Sequence, residues 1–260
     1  MFGNILKNIS PVVKNILIIN ILFFVAQITF PIFMGGLSLY PFVSEGFEPW
    51  QLATHFFMHS PESIGHIFFN MFAVVIFGTQ LERVWGPKKF LGYYIACAFG
   101  AAILHQIVIQ IEISALKDYI SNEQWYIVKE NGYNIFNDLV YEKKRDTLYY
   151  INEYGLDLRT NDTLVPLIVK MNTAMLGASG AVFGLLAAFG YLFPNTELML
   201  LFPPIPIKAK YFVIGYAALE LYLGLSDNPS DNVAHFAHLG GGLIGIIIVL
   251  YWGKNRNSFF

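Results

Sequence analysis

The stretch AMLGASGAVFGLLAAFGYLF, residues 174–193, contains no Lys, Arg, Asp or Glu. A helix of about 20 mostly apolar residues is long enough to cross the hydrocarbon core of a bilayer. Small residues at Gly180, Gly184 and Ala188 fall on one face of such a helix, where a second backbone can come close. Five further apolar runs, 16–34, 64–81, 90–111, 211–226 and 233–252, share its character. The composition agrees: 55% of the 260 residues are hydrophobic and 13% are charged, against about 25% charged in a soluble domain. The expectation is an all-α membrane protein, a bundle of six transmembrane helices. One cysteine, Cys97, excludes an internal disulfide framework and a zinc site built from Cys. A net charge of −2 gives no electrostatic case for nucleic acid.

Orientation follows from the cations. With six spans, both tails and the turns after spans 2 and 4 share one side. These hold Lys7, Lys14, Arg83, Lys88, Lys89, Lys208, Lys210, Lys254 and Arg256. The short connections on the other side, 35–63 and 227–232, hold no Lys or Arg, only Glu45, Glu48, Glu62, Asp227 and Asp231. The positive-inside rule then makes the tails cytoplasmic. The first run reads as a retained anchor, too long for a signal-peptide core and followed by no A-x-A site. The expected location is a cell membrane, the inner membrane if the source is Gram-negative. The third outer connection, about 112–173, carries mixed charge and crosses regardless of it. Trp125, Ile127, Val128, Ile135, Phe136, Leu139 and Val140 recur at helical spacing, so this insert is expected to form short amphipathic helices on the membrane or the bundle.

Spans 2, 4 and 6 all start on the outer side, and the polar residues within apolar runs gather at those starts. They are His66 and Asn70, Ser179, and His235 and His238. Polar groups inside a membrane are expensive and point to function. His238, Gly241 and Gly245, spaced i, i+3, i+7, form a face that matches the small face of the fourth span. If the two faces pack, Ser179 and His238 meet. A serine hydroxyl becomes a nucleophile when a neutral imidazole within hydrogen-bond reach takes its proton. The glycines beside Ser179 leave its amide open to an oxyanion at a helix N-terminus, and His66 and Asn70, one turn apart, can add donors.

Gly177-Ala178-Ser179-Gly180, the run Ala237-His238-Leu239-Gly240-Gly241 with Gly245, and His66-x3-Asn70 resemble the rhomboid family of intramembrane serine proteases. Residues Trp50 to His59 and the helix end Leu81 to Gly86 are similar to that family too. The resemblance covers about 15–111 and 174–252, within a single rhomboid-like membrane domain spanning 1–260, and leaves 112–173 as an enlarged extracytoplasmic loop between spans 3 and 4. It implies cleavage of transmembrane protein substrates by a Ser–His dyad, with no metal and no cofactor. By resemblance Ser179 is the nucleophile and His238 the base. The Ser179 and Ala178 amides with His66 and Asn70 form the oxyanion hole. The loop 35–63 is then the family's membrane-embedded first loop and span 5 its lateral gate. Two positions depart from the family pattern. Phe183 stands where a Tyr commonly stacks on the catalytic His, and Trp50-Gln51 replaces a Trp-Arg pair, removing a cation that anchors the first loop.

Other residues have plainer readings. His235 lies off the close-packed face and reads as a polar cap near the interface. His55 and His59 are four apart, but no H-E-x-x-H pattern or nearby carboxylate completes a metal site with His66. Glu82 beside Arg83 reads as an ion pair or cap. Glu220 suggests the proton relay of a transporter, thinly supported by one acid. The alternative to an enzyme is a catalytically silent rhomboid-like factor that binds and escorts membrane proteins. Membrane lipid is the expected surroundings, and the oligomeric state is open.

Overall fold

The structure is a computed structural model that describes residues 8–31, 35–140, 147–199, 204–226 and 233–254. Lys7, Lys143, Lys144, Arg145, Asp227, Asp231 and Arg256, and the connection 227–232, lie outside the described residues. Helix α1 spans Pro11–Thr29. Helix α2, Ile64–Trp85, runs through a single π-helical segment at Val74–Gly78. Helix α3 covers Pro87–Lys117. Three shorter helices follow: α4 (Asn122–Val140), α5 (Thr147–Tyr154) and α6 (Leu164–Asn172). Helices α7 (Ser179–Leu192), α8 (Ala209–Leu225) and α9 (His235–Lys254) complete the chain. Among the described residues the fold is helical apart from a two-stranded antiparallel ladder, β1 (Glu197–Met199) with β2 (Pro206–Lys208), and one isolated bridge between Leu39 and Met175.

Among the described residues four helices, α1, α2, α3 and α9, are long and apolar enough to cross a membrane, where six were expected. The other two runs fold as shorter helices. Helix α7 has 14 residues, about 21 Å at 1.5 Å per residue, and α8 has 17. The start of α7 is the more informative difference. The apolar run begins at 174, but the helix begins at Ser179. Met175 is drawn into extended structure by reciprocal 2.8 Å backbone bonds with Leu39, and the Gly177 amide donates to the His55 carbonyl at 3.0 Å. Backbone pairing with the first loop therefore competes with helix over 174–178 and leaves Ser179 in the first helical turn.

The bundle packs α7 against α9 and α3. A Cβ on Gly241 would fall on the backbone of Gly180, and one on Gly245 would sit 2.9 Å from the Gly184 Cα. These glycines are what lets the two backbones touch. Tyr93 of α3 donates to the Gly184 carbonyl at 2.6 Å, filling the space beside Gly245. The main core runs through Val13, Val74, Leu81, Tyr93, Cys97, Ala181, Leu185 and Val249.

Residues 112–173 build a second core. The helical spacing read from the sequence puts Val128, Ile135 and Phe136 inside, against Ile113 of α3, Tyr150, Leu164, Leu167 and Ile168. Glu82 is a cap, but of another helix: its carboxylate accepts from the Ser10 hydroxyl at 2.5 Å and from the Val12 and Val13 amides at 3.0 Å each. That satisfies orphan donors at the α1 N-terminus and places a negative charge at the positive end of its dipole. Arg83 instead reaches the Asn8 carbonyl at 2.8 Å.

Candidate active site

The glycine-to-glycine contact of α7 and α9 brings their first turns together. Ser179 Oγ lies 2.8 Å from His238 Nε2. The Phe183 ring, one turn below Ser179, stacks on the His238 imidazole with centroids 4.5 Å apart and planes 5° from parallel. No phenol is needed for that stack. Tyr216 of α8 packs on the far side of Phe183, with ring centroids 4.7 Å apart. A largely apolar cavity of about 440 Å³ lies between α7, α8 and α9, lined by Phe183, Val213, Tyr216, Leu239, Leu243 and His238 itself.

Gly177 has a φ of +117°, in the region that disfavours a side chain. A Cβ there would stand 2.8 Å from His66 Nε2 and 3.7 Å from Ser179 Oγ. The missing side chain thus keeps open the space between an imidazole nitrogen and the hydroxyl. His66 Nδ1 takes a long 3.4 Å bond from the Ser60 amide. A nitrogen that accepts is unprotonated, so Nε2 carries the hydrogen and faces the opening. Ala178 caps α7, and the amides of the first helical turn have no partner within the helix. Asn70 is buried, but its amide nitrogen donates back to the His66 carbonyl at 3.0 Å, engaging one of its two hydrogens.

The first loop is held by neutral amides rather than by a cation. Gln51 is fully buried; its Nε2 donates to the Gly46 carbonyl at 2.8 Å and the Gly36 carbonyl at 3.2 Å, and its Oε1 accepts from the Tyr40 amide at 3.1 Å. Gln106 of α3 pairs with the Tyr40 carbonyl at 2.9 Å and the Phe42 amide at 3.0 Å. The loop in turn fixes the residues before Ser179 through Leu39 and His55.

His55 and His59 are buried in that loop, and burial pushes both imidazoles down to about 4. Their ordinary value is about 6.5. Between these values the unfolded chain binds more protons than the folded one, so stability is fully present above pH 6.5 and is lost as pH falls towards 4. A shift of this size is worth about 3 kcal/mol per group once complete. Thermal unfolding followed from pH 7 to 4 should therefore fall less steeply in His55→Gln than in the parent. Equal slopes would show that His55 does not carry the effect.

Two assignments change. His235 is no interfacial cap: it is buried, and its Nδ1 lies 2.7 Å from Glu220 Oε2. The same carboxylate oxygen lies 2.8 Å from His238 Nδ1. Glu220 is therefore partnered by two histidines at the site, where the sequence suggested a lone membrane acid. The donor atoms of Glu220, His235 and His238 all lie within 4.8 Å of one another, a set able to hold a metal ion. Separations of 2.7 and 2.8 Å are hydrogen-bond lengths. Donors sharing a tetrahedral zinc at about 2.0–2.2 Å stand farther apart.

Residues 46–114 and 147–255 match the family model described as the rhomboid domain. The chain belongs to the rhomboid family. A mitochondrial rhomboid protein of Schizosaccharomyces pombe, named as uncharacterized, is 30% identical over 211 residues, covering 78% of this rhomboid and 50% of that protein. RHOMBOID-like protein 12, mitochondrial, of Arabidopsis thaliana is 27% identical over 211 residues, 80% of this chain and 47% of its own. The rhomboid protease AarA of Providencia stuartii is 27% identical over 220 residues, 82% and 59% respectively. The chain thus spans about half the length of the curated relatives it matches. The expected cell-membrane location, with cytoplasmic tails, is corrected by these comparisons: relatives labelled mitochondrial point to a mitochondrial membrane instead. Positive-inside patterning reports which side of a membrane a loop occupies, not which membrane it is.

Proposed function

We propose that this rhomboid is an intramembrane serine endopeptidase that cleaves transmembrane protein substrates through an acyl-enzyme. The observation that carries the reading is the 2.8 Å contact of Ser179 Oγ with His238 Nε2. His238 Nε2 takes the hydroxyl proton as the Ser179 oxygen attacks the scissile carbonyl carbon. The resulting oxyanion sits in the opening that Gly177 leaves, reached by His66 Nε2–H, the amides of Ala178 and Ser179 at the α7 N-terminus, and the second amide hydrogen of Asn70. His238 then delivers its proton to the departing amine, the C–N bond breaks, and water cleaves the ester by the same route. The apolar cavity beside His238 suits the side chains of a substrate drawn from lipid.

Purified protein in vesicles should cut a co-reconstituted single-span reporter, and Ser179→Ala should leave no cleavage above background. Equal cutting by Ser179→Ala would overturn the reading. Reporter bound but uncut by both proteins would favour the escort alternative.

A further inference from the structure

We infer that Glu220 completes a Ser–His–Glu triad: a positioning carboxylate, supplied by α8, that sets the tautomer and aim of His238. The inference rests on the proposed protease reading and adds a third member to its dyad. Glu220 is buried, and its Oε2 meets His238 Nδ1 at 2.8 Å while His238 Nε2 meets Ser179 Oγ at 2.8 Å. The three groups form one chain of hydrogen bonds. An ionised carboxylate only accepts, so the hydrogen of the neutral imidazole resides on Nδ1. Nε2 then offers its lone pair to the serine hydroxyl, as a base must.

When Ser179 gives up its proton, His238 becomes an imidazolium with hydrogens on both nitrogens. Nδ1–H keeps its bond to Glu220, whose charge balances the new cation without taking the proton. Nε2–H is the hydrogen later passed to the leaving amine. His235 contributes from the other side: its Nδ1 donates to the same Oε2 at 2.7 Å, so the carboxylate is held by two donors. Helix α8 thereby grips the imidazole twice, along its edge through Glu220 and, through Tyr216 and Phe183, across its face.

Glu220→Gln is nearly isosteric, but its amide presents NH2 as well as a carbonyl. It can donate to Nδ1 and drive the hydrogen to Nε2, the wrong tautomer. The full chain in vesicles should show kcat lowered by about 10²–10⁴-fold with KM within about twofold, and Glu220→Asp should recover part of the loss. Labelling of Ser179 by a fluorophosphonate should slow in parallel. If the parent labels and Glu220→Gln labels at the same rate, the triad is wrong while the protease reading stands. If the parent itself does not label, the protease reading fails first. A second measurement needs no variant: 15N spectra of histidine-labelled parent should show His238 with Nδ1 protonated and Nε2 bare, and the opposite tautomer would overturn the inference.

Discussion

His238→Ala is expected to lower turnover by about 10⁶-fold, as far as removing the nucleophile does, because the two act as one unit. In the structure nothing else offers a proton acceptor to Ser179 at comparable range among the described residues: the 2.8 Å partner of the hydroxyl is His238 Nε2. His66 is turned the other way, its Nδ1 occupied by the Ser60 amide, so it faces the serine as a donor. The variant should remain folded, since the α7–α9 contact is made by glycines rather than by the imidazole. Residual turnover of a tenth of the parent's would mean that another base serves Ser179.

The second large effect concerns packing. Alanine at Gly241 should reduce activity by at least about 10²-fold, the order expected when reacting groups move apart by 1 Å. It should also lower the unfolding temperature. The added methyl would overlap the Gly180 carbonyl, with the Gly180 Cα 3.1 Å away, and backbone cannot swing aside as a side chain can. Overpacking of this kind costs about 1–3 kcal/mol or more. Gly242→Ala is the control: one residue along, its methyl would meet only the Phe183 carbonyl at 3.8 Å. If the two variants behave alike, the close glycine contact does not hold the site together.

Much of this architecture is legible in the chain because the bilayer restricts what an apolar run can do. The six runs each contain a helix, and the small faces of Gly180 and Gly184 and of Gly241 and Gly245 announce the contact that joins Ser179 to His238. What stayed hidden depends on partners distant in sequence. Residues 174–178 are apolar enough for helix, and only pairing with Leu39 pulls Met175 out of it. The β1–β2 ladder lies in a run rich in Leu and Pro with no alternation to betray it. Gln51 lacks the charge of an anchoring cation, yet its amide makes three bonds that hold the first loop.

Glu220 is the site residue whose role is least legible in the chain. It stands out as a carboxylate inside an apolar run, and charge alone does not say which residues it meets. The alternating direction of the apolar runs holds the better clue: it puts the later half of the fifth run level with the starts of the fourth and sixth, where Glu220 meets His238. The same depth that gathers Ser179 and His238 holds for a carboxylate, and Glu220 lies there beside His238. His235, three residues before His238, is buried although it lies off the glycine face, because its ring pairs with Glu220 of α8.

The most direct measurement is to map the adduct that a fluorophosphonate leaves on the purified protein, by mass spectrometry of its peptides, in the parent and in His238→Ala. A hydroxyl activated by its neighbouring imidazole predicts one stoichiometric adduct on Ser179 in the parent and essentially none in the variant. An adduct on another residue, or equal modification of Ser179 without His238, would contradict the account.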